Sequence, residues 1–77
     1  MNHPKIGGTY RHYKNHKLYT IVCIARHTET GESLVVYQGQ YDDPEFGSRP
    51  IFARPVGMFM DDVEYEGQTV ARFEHIT

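Results

Sequence analysis

The chain has 77 residues, 39% of them hydrophobic, with eight Lys or Arg against ten Asp or Glu and a single cysteine. That length holds one domain with a modest core, one cysteine excludes an intrachain disulfide, and a net charge of −2 lacks the positive excess on which phosphate contacts rely. The longest apolar run, residues 21–25, is far too short to span a bilayer, and with no apolar leader pattern the cytoplasm is the expected compartment.

Residues 1–8 carry Pro4 and the Gly7-Gly8 pair without periodicity and are expected to form a flexible tail, with a single β-rich domain over residues 9–77. Tyr10 to Tyr13 alternate as a short strand, and Lys14-Asn15-His16 supplies turn chemistry after it. Lys17 to Arg26 is the strongest strand. Both of its alternating sets, Leu18, Thr20, Val22, Ile24 and Tyr19, Ile21, Cys23, Ala25, are largely apolar, so burial on both faces is expected, and with it a buried, inert Cys23.

Thr30-Gly31, flanked by Glu29 and Glu32, reads as a tight connection, and Ser33 to Tyr41 as the returning strand. Residues 42–48 are acidic and rich in breakers, which predicts a solvated loop. Pro50 and Pro55 bracket a short segment that suits an edge strand. One helical turn is expected over residues 55–60, with Met58 and Phe59 plugging an end of the structure, and a final hairpin follows over residues 63–76 around Gly67-Gln68. Five to six short strands with one helical turn predict a mainly β fold, an SH3-like barrel in preference to an OB-type barrel with its longer helix. The expected core is Leu18, Val22, Ile24, Leu34, Val36, Phe59 and Phe73, with Val36→Asp disruptive.

Residues 1–40 carry five Lys or Arg against two acids, while residues 41–77 carry three against eight. In an interleaved β fold the two halves meet and offset one another.

Tyr10-Arg11-His12-Tyr13-Lys14, Ala25 to Thr30 with Glu32, Val35-Val36-Tyr37, Ala53-Arg54-Pro55 and Met58-Phe59, in that order over residues 8–76, resemble a family of small bacterial proteins known as a domain of unknown function. The resemblance implies an SH3-like barrel that is usually the whole protein, without an assigned activity or cofactor. The acidic loop 42–48 and Phe52, where Trp is common, depart from that pattern.

Six tyrosines are too many to bury without partners for every hydroxyl, so some should lie at the surface. The expected ligand groove comprises His12, Tyr13, His27, Glu29, Tyr37 and Arg54, and would take a peptide or protein. Arg54 is its anchor, extended by the proline that follows and free to pair with Glu29, an acidic loop or an acidic ligand. Two alternatives stand beside this reading. A nucleic-acid site would use the basic, aromatic stretch from Arg11 to Arg26, and a small oligomeric enzyme would use His27 and Glu29 as an acid–base pair. No metal or other cofactor is expected: His12 and His16 are about 13 Å apart along an extended strand, and no Cys pair or paired-His helix motif accompanies them. A monomer or a homodimer fits a domain of this size.

Overall fold

β1 (Thr9–His12) and β2 (Leu18–Arg26) pair antiparallel across the Lys14-Asn15-His16 turn in a computed structural model that describes residues 3–77. The turn is held locally. Asn15 Oδ1 accepts the Lys17 N–H at 2.8 Å, and His16, with φ of 60°, donates its N–H to the His12 carbonyl at 3.0 Å. β2 then turns through Gly31, whose φ of 76° suits a residue without a Cβ, into β3 (Ser33–Gly39).

The segment expected as a tail is bonded to the sheet over residues 5–8. Gly7 N–H donates to Ile21 O at 2.8 Å, Ile21 N–H to Gly8 O at 3.0 Å, and Lys5 N–H to the Tyr10 hydroxyl at 3.0 Å.

The expected acidic loop contains a two-residue ladder, β4 (Asp42–Asp43) with β5 (Gly47–Ser48). Asp43 builds it: one carboxylate oxygen accepts the Glu45 and Phe46 N–H groups at 2.7 and 3.0 Å. Those bonds hold the Asp43 carboxyl below its usual range.

β6 (Ile51–Pro55) is the edge strand its prolines announce. The helical turn α1 (Val56–Phe59) follows, then the hairpin β7 (Asp62–Tyr65) and β8 (Gln68–Ala71), and finally β9 (Phe73–His75). Glu66 and Gly67 at the hairpin tip have φ of 52° and 78°, the paired positive values of a tight two-residue turn.

The main sheet runs in the order β6-β3-β2-β1-β9, antiparallel throughout. It is an open sheet: among the described residues no ladder joins β6 to β9, so the expected barrel is not closed by backbone hydrogen bonds. Side chains bring the two edges together instead. The Arg54 guanidinium of β6 lies 5.4 Å over the Phe73 ring of β9, and Phe59 of α1 stacks on Phe73 at 4.1 Å with 7° between planes.

The core consists of Tyr10, Tyr19, Ile21, Val35, Tyr37, Val56, Phe59 and Phe73, with Ile24, Tyr41 and Phe52 packed against it. Of the expected core, Phe59 and Phe73 are buried and Ile24 is partly so. Leu18 and Val22 are exposed, Leu34 and Val36 half-buried, and Cys23 is exposed rather than buried. Met58 is exposed as well, leaving Phe59 alone as the plug.

The inversion has a local cause. Between the pairs Ile21↔Tyr37 and Cys23↔Val36 the register shifts, so Val22 is an extra residue in a β-bulge. Tyr19 and Ile21 face inward, Val22 and Cys23 both face outward, and Ile24 returns to the inside opposite Val35. Tyr10 and Tyr19 serve as core residues because their hydroxyls are satisfied: Tyr10 Oη accepts the Lys5 N–H at 3.0 Å, and Tyr19 Oη meets Tyr41 Oη at 3.0 Å and accepts from Asn15 Nδ2 at 3.4 Å.

Candidate functional site

Beside the core, a cleft of about 450 Å³ opens between β1, the turn after it and the β7–β8 hairpin. Arg11, His12, Tyr13, His16, Tyr65, Val70, Ala71 and Glu74 line it. The end of β1 and the residue after it, Arg11, His12 and Tyr13, reach this region together because the strand ends there and the chain begins to turn. Tyr13 still belongs to the sheet's edge, its N–H donating to the Arg72 carbonyl at 3.0 Å.

The opposite wall is fixed by Asp61 and Arg72. Arg72 Nε and Nη2 donate to the two oxygens of Asp61 at 2.7 and 3.1 Å, and Arg72 N–H donates to the Asp61 carbonyl at 3.0 Å. This doubled clasp joins the start of the hairpin to its end and aims Tyr65 back at β1. The Tyr13 and Tyr65 rings meet edge to face at 5.3 Å. The Arg72 guanidinium holds the Asp61 carboxyl below its usual range, and the same hydrogen bonds raise Arg72.

His12 is half-buried between Tyr13 at 4.9 Å and the edge of Phe73 at 5.0 Å. Its Nδ1 accepts the Lys14 N–H at 3.2 Å, so a neutral ring carries its proton on Nε2. Burial first, then the positive charges of Arg54, Arg72 and Lys14, push its pKa below the ordinary 6.5. Arg11 reaches Glu74 through one guanidinium nitrogen at 2.8 Å, both side chains being well exposed. Such a pair contributes little and exchanges readily.

Of the expected groove, only His12 and Tyr13 line this cleft. His27 and Glu29 lie in the β2–β3 turn, where His27 Nδ1 accepts the N–H groups of Glu29 and Thr30 at 3.1 and 3.4 Å. That imidazole is a turn-forming group. Tyr37 is in the core, 5% exposed, with its ring against Tyr19, Phe52, Phe59 and Phe73. Arg54 shares the inward row Ile24–Val35–Arg54, lies over Phe73, and makes no salt bridge with Glu29 or the acidic loop.

Sequence reasoning missed Tyr65, His16, Arg11 and Glu74 as cleft residues. The available signal was positional: Tyr65 immediately precedes the Glu66-Gly67 turn, in a hairpin too short to bury an aromatic ring within itself. Among the described residues no group of three or more His, Cys, Asp or Glu is arranged to hold a metal ion. No helix there is long and apolar enough to cross a membrane.

A family model described as "Protein of unknown function (DUF1653)" matches residues 8–75. The crystal structure of a protein of that family from Bordetella bronchiseptica is similar to this chain, with a TM-score of 0.78 at 30% identity over 91% of this chain and 85% of that one. No curated protein matches.

Proposed function

This chain belongs to the DUF1653 family, and from that premise we propose that it is an interaction module binding a peptide segment of a partner in the cleft between β1 and the β7–β8 hairpin. The observation that carries this reading is the Tyr13–Tyr65 pair. Two aromatic rings, one just after β1 and one on β7, meet at 5.3 Å outside the core cluster, in the lining of a cleft of about 450 Å³. Rings so placed offer large contact area at small conformational cost, and the volume suits a few side chains.

The polar groups favour a peptide over a nucleic acid. Arg11 and Glu74 place both signs on the cleft wall, and the hairpin beside it carries Asp62, Glu64 and Glu66. A phosphodiester chain tracking that wall would meet a row of carboxylates, whereas peptide groups find donors in His12 and Arg11 and an acceptor in Glu74. The contact of Arg54 with Phe73 across the open edges supports reading the curled sheet as a variant of the SH3-like architecture. An exposed free thiol at Cys23 accords with a reducing, cytoplasmic setting.

A displayed peptide library selected on the purified chain tests the reading. The expected outcome is a convergent motif whose binding falls at least about tenfold in Tyr13→Ala and Tyr65→Ala while melting is nearly unchanged. Affinity should change little between low and moderate salt. Steep weakening with salt, together with capture of oligonucleotides, would assign the surface to nucleic acid instead. Selected peptides whose NMR shift changes map away from the cleft would refute the site.

A further inference from the structure

Positive charge gathers around the His12 end of the cleft without a full set of partners. The His12 ring meets the edge of Phe73 at 5.0 Å, and the Arg54 guanidinium lies 5.4 Å over that same Phe73 ring. Lys14 follows two residues on, its N–H held by His12 Nδ1, and Arg72 stands in the opposite wall. The charges of Arg54, Arg72 and Lys14 all act on the His12 ring. Asp61 answers Arg72 and Glu74 answers Arg11, but no carboxylate of the described residues lies within salt-bridge range of Arg54 or Lys14. On β7, Asp62 and Glu64 alternate with Val63 and Tyr65, so their side chains leave from the face of the hairpin opposite the Tyr65 ring.

We infer that the cleft selects its peptide by one acidic side chain, whose carboxylate docks on the His12 Nε2–H with Arg54 and Lys14 as the surrounding charge. The inference rests on the peptide reading of the cleft and names the residue class that reading leaves open. With Nδ1 accepting from Lys14, the neutral His12 ring offers a ligand a donor and no acceptor, which suits a carboxylate or a carbonyl oxygen. The unanswered cations decide between the two, because a carboxylate relieves them and a neutral amide does not. A lysine or arginine side chain is repelled from the same place. The carboxylate comes from a side chain and not from a chain terminus. Terminal carboxylates are captured by clusters of backbone N–H groups, and those at this end are already spent: His12 donates to Lys17 O at 3.1 Å, Tyr13 to Arg72 O at 3.0 Å, His16 to His12 O at 3.0 Å, and Lys14 to the imidazole. One carboxylate fits here and a run of them does not, since Glu74 and the hairpin acids flank the position. A single, partly enclosed contact of this kind also keeps the salt dependence shallow.

Pools of short acetylated peptides with apolar and aromatic neighbours around a fixed central residue test this by NMR titration of the isotope-labelled chain. The central residue is glutamate, glutamine or lysine with an amidated end, and a further pool carries central glutamine with a free terminal carboxylate. The glutamate pool should shift the His12, Tyr13 and Tyr65 resonances at about tenfold lower concentration than the glutamine pool, with the lysine pool weakest. His12→Phe keeps a ring against Phe73 and removes the donor, and should cut the glutamate preference to about threefold or less. Lys14→Gln, at an exposed position, should lower it about twofold without disturbing the fold. Equal binding of the glutamate and glutamine pools overturns the inference while the cleft reading stands, whereas the absence of any shift at Tyr13 and Tyr65 overturns both. Tighter binding of the free-terminus pool than of the glutamate pool overturns it in favour of a chain end. A glutamate preference unchanged in both His12→Phe and Lys14→Gln overturns it by placing the carboxylate elsewhere.

Discussion

The ring of Tyr41 occupies the place a side chain on Gly39 would need: a Cβ built there would lie 2.6 Å from Tyr41 Cε1. The ring is not free to swing away, because its hydroxyl meets Tyr19 Oη at 3.0 Å and Lys17 Nζ sits 4.3 Å over its face. Gly39→Ala is expected to cost about 1–3 kcal/mol by overpacking. Thermal melting checks this, and Tyr41→Ala in the same background should recover part of the loss. A Gly39→Ala chain that melts like wild type would show that the ring yields.

Neighbouring valines should behave oppositely. Val35 is fully buried, whereas Val36 is half-buried on the outer face. Val35→Ala is expected to lose about 2–3 kcal/mol, and Val36→Ala less than about 1. Denaturant titration of the two variants separates them. Equal losses would contradict the assignment of faces.

Asp61→Asn should leave the core standing and loosen the cleft. The Asp61–Arg72 pair is partly solvated, so its loss costs at most about 1 kcal/mol of global stability. Because the Asp61 carboxyl is held below its usual range, its contribution is present above the unfolded pKa near 3.8 and disappears as pH falls through the lower folded value. Amide exchange in β7 and β8 should accelerate at neutral pH, and peptide affinity should drop severalfold. Unchanged hairpin exchange would remove the clasp from the site.

Alkali should destabilise the chain through Tyr41. The Tyr41 phenol is raised above the ordinary 10.0, first by burial and then by its hydrogen bond to Tyr19. The fold thus favours the neutral phenol, an advantage complete below pH 10 that declines as pH rises toward the folded value. Denaturation midpoints should fall as pH rises from about 10 to 11, less steeply in Tyr41→Phe. An identical slope in that variant would place the alkaline sensitivity elsewhere.

The turns of this fold were legible because their chemistry is local: Asn15 bonds Lys17 two residues on, and Gly31 and Gly67 adopt the positive φ their connections need. The inside and outside of β2 were not legible. Both alternating sets are apolar, so composition could not choose between them, and the bulge at Val22 carries outward a residue that strict alternation groups with Ile24. Tyr37 was misplaced for a related reason, since an aromatic suits a groove and a core equally until its neighbours are known. The cleft depends on packing of residues far apart in the chain, Tyr13 against Tyr65 and Asp61 against Arg72. Only His12 and Tyr13, which adjoin a recognisable turn, could be picked out beforehand.

Remove Val22 on paper and β2 becomes a regular strand: Tyr19, Ile21 and Ile24 keep their inward places, and Thr20, Cys23 and Ala25 their outward ones. Val22 is therefore an insertion that the packing does not need and the curvature does, because an extra residue on one strand bends it and tightens its twist. Its count matters more than its kind. Val22→Thr should fold with native stability, whereas deletion of Val22 should flatten the sheet and part Arg54 from Phe73, a separation that NMR contacts between the two side chains would report. Arc length, spent one residue at a time on the middle strand, sets how far apart the edges of this open sheet come to rest.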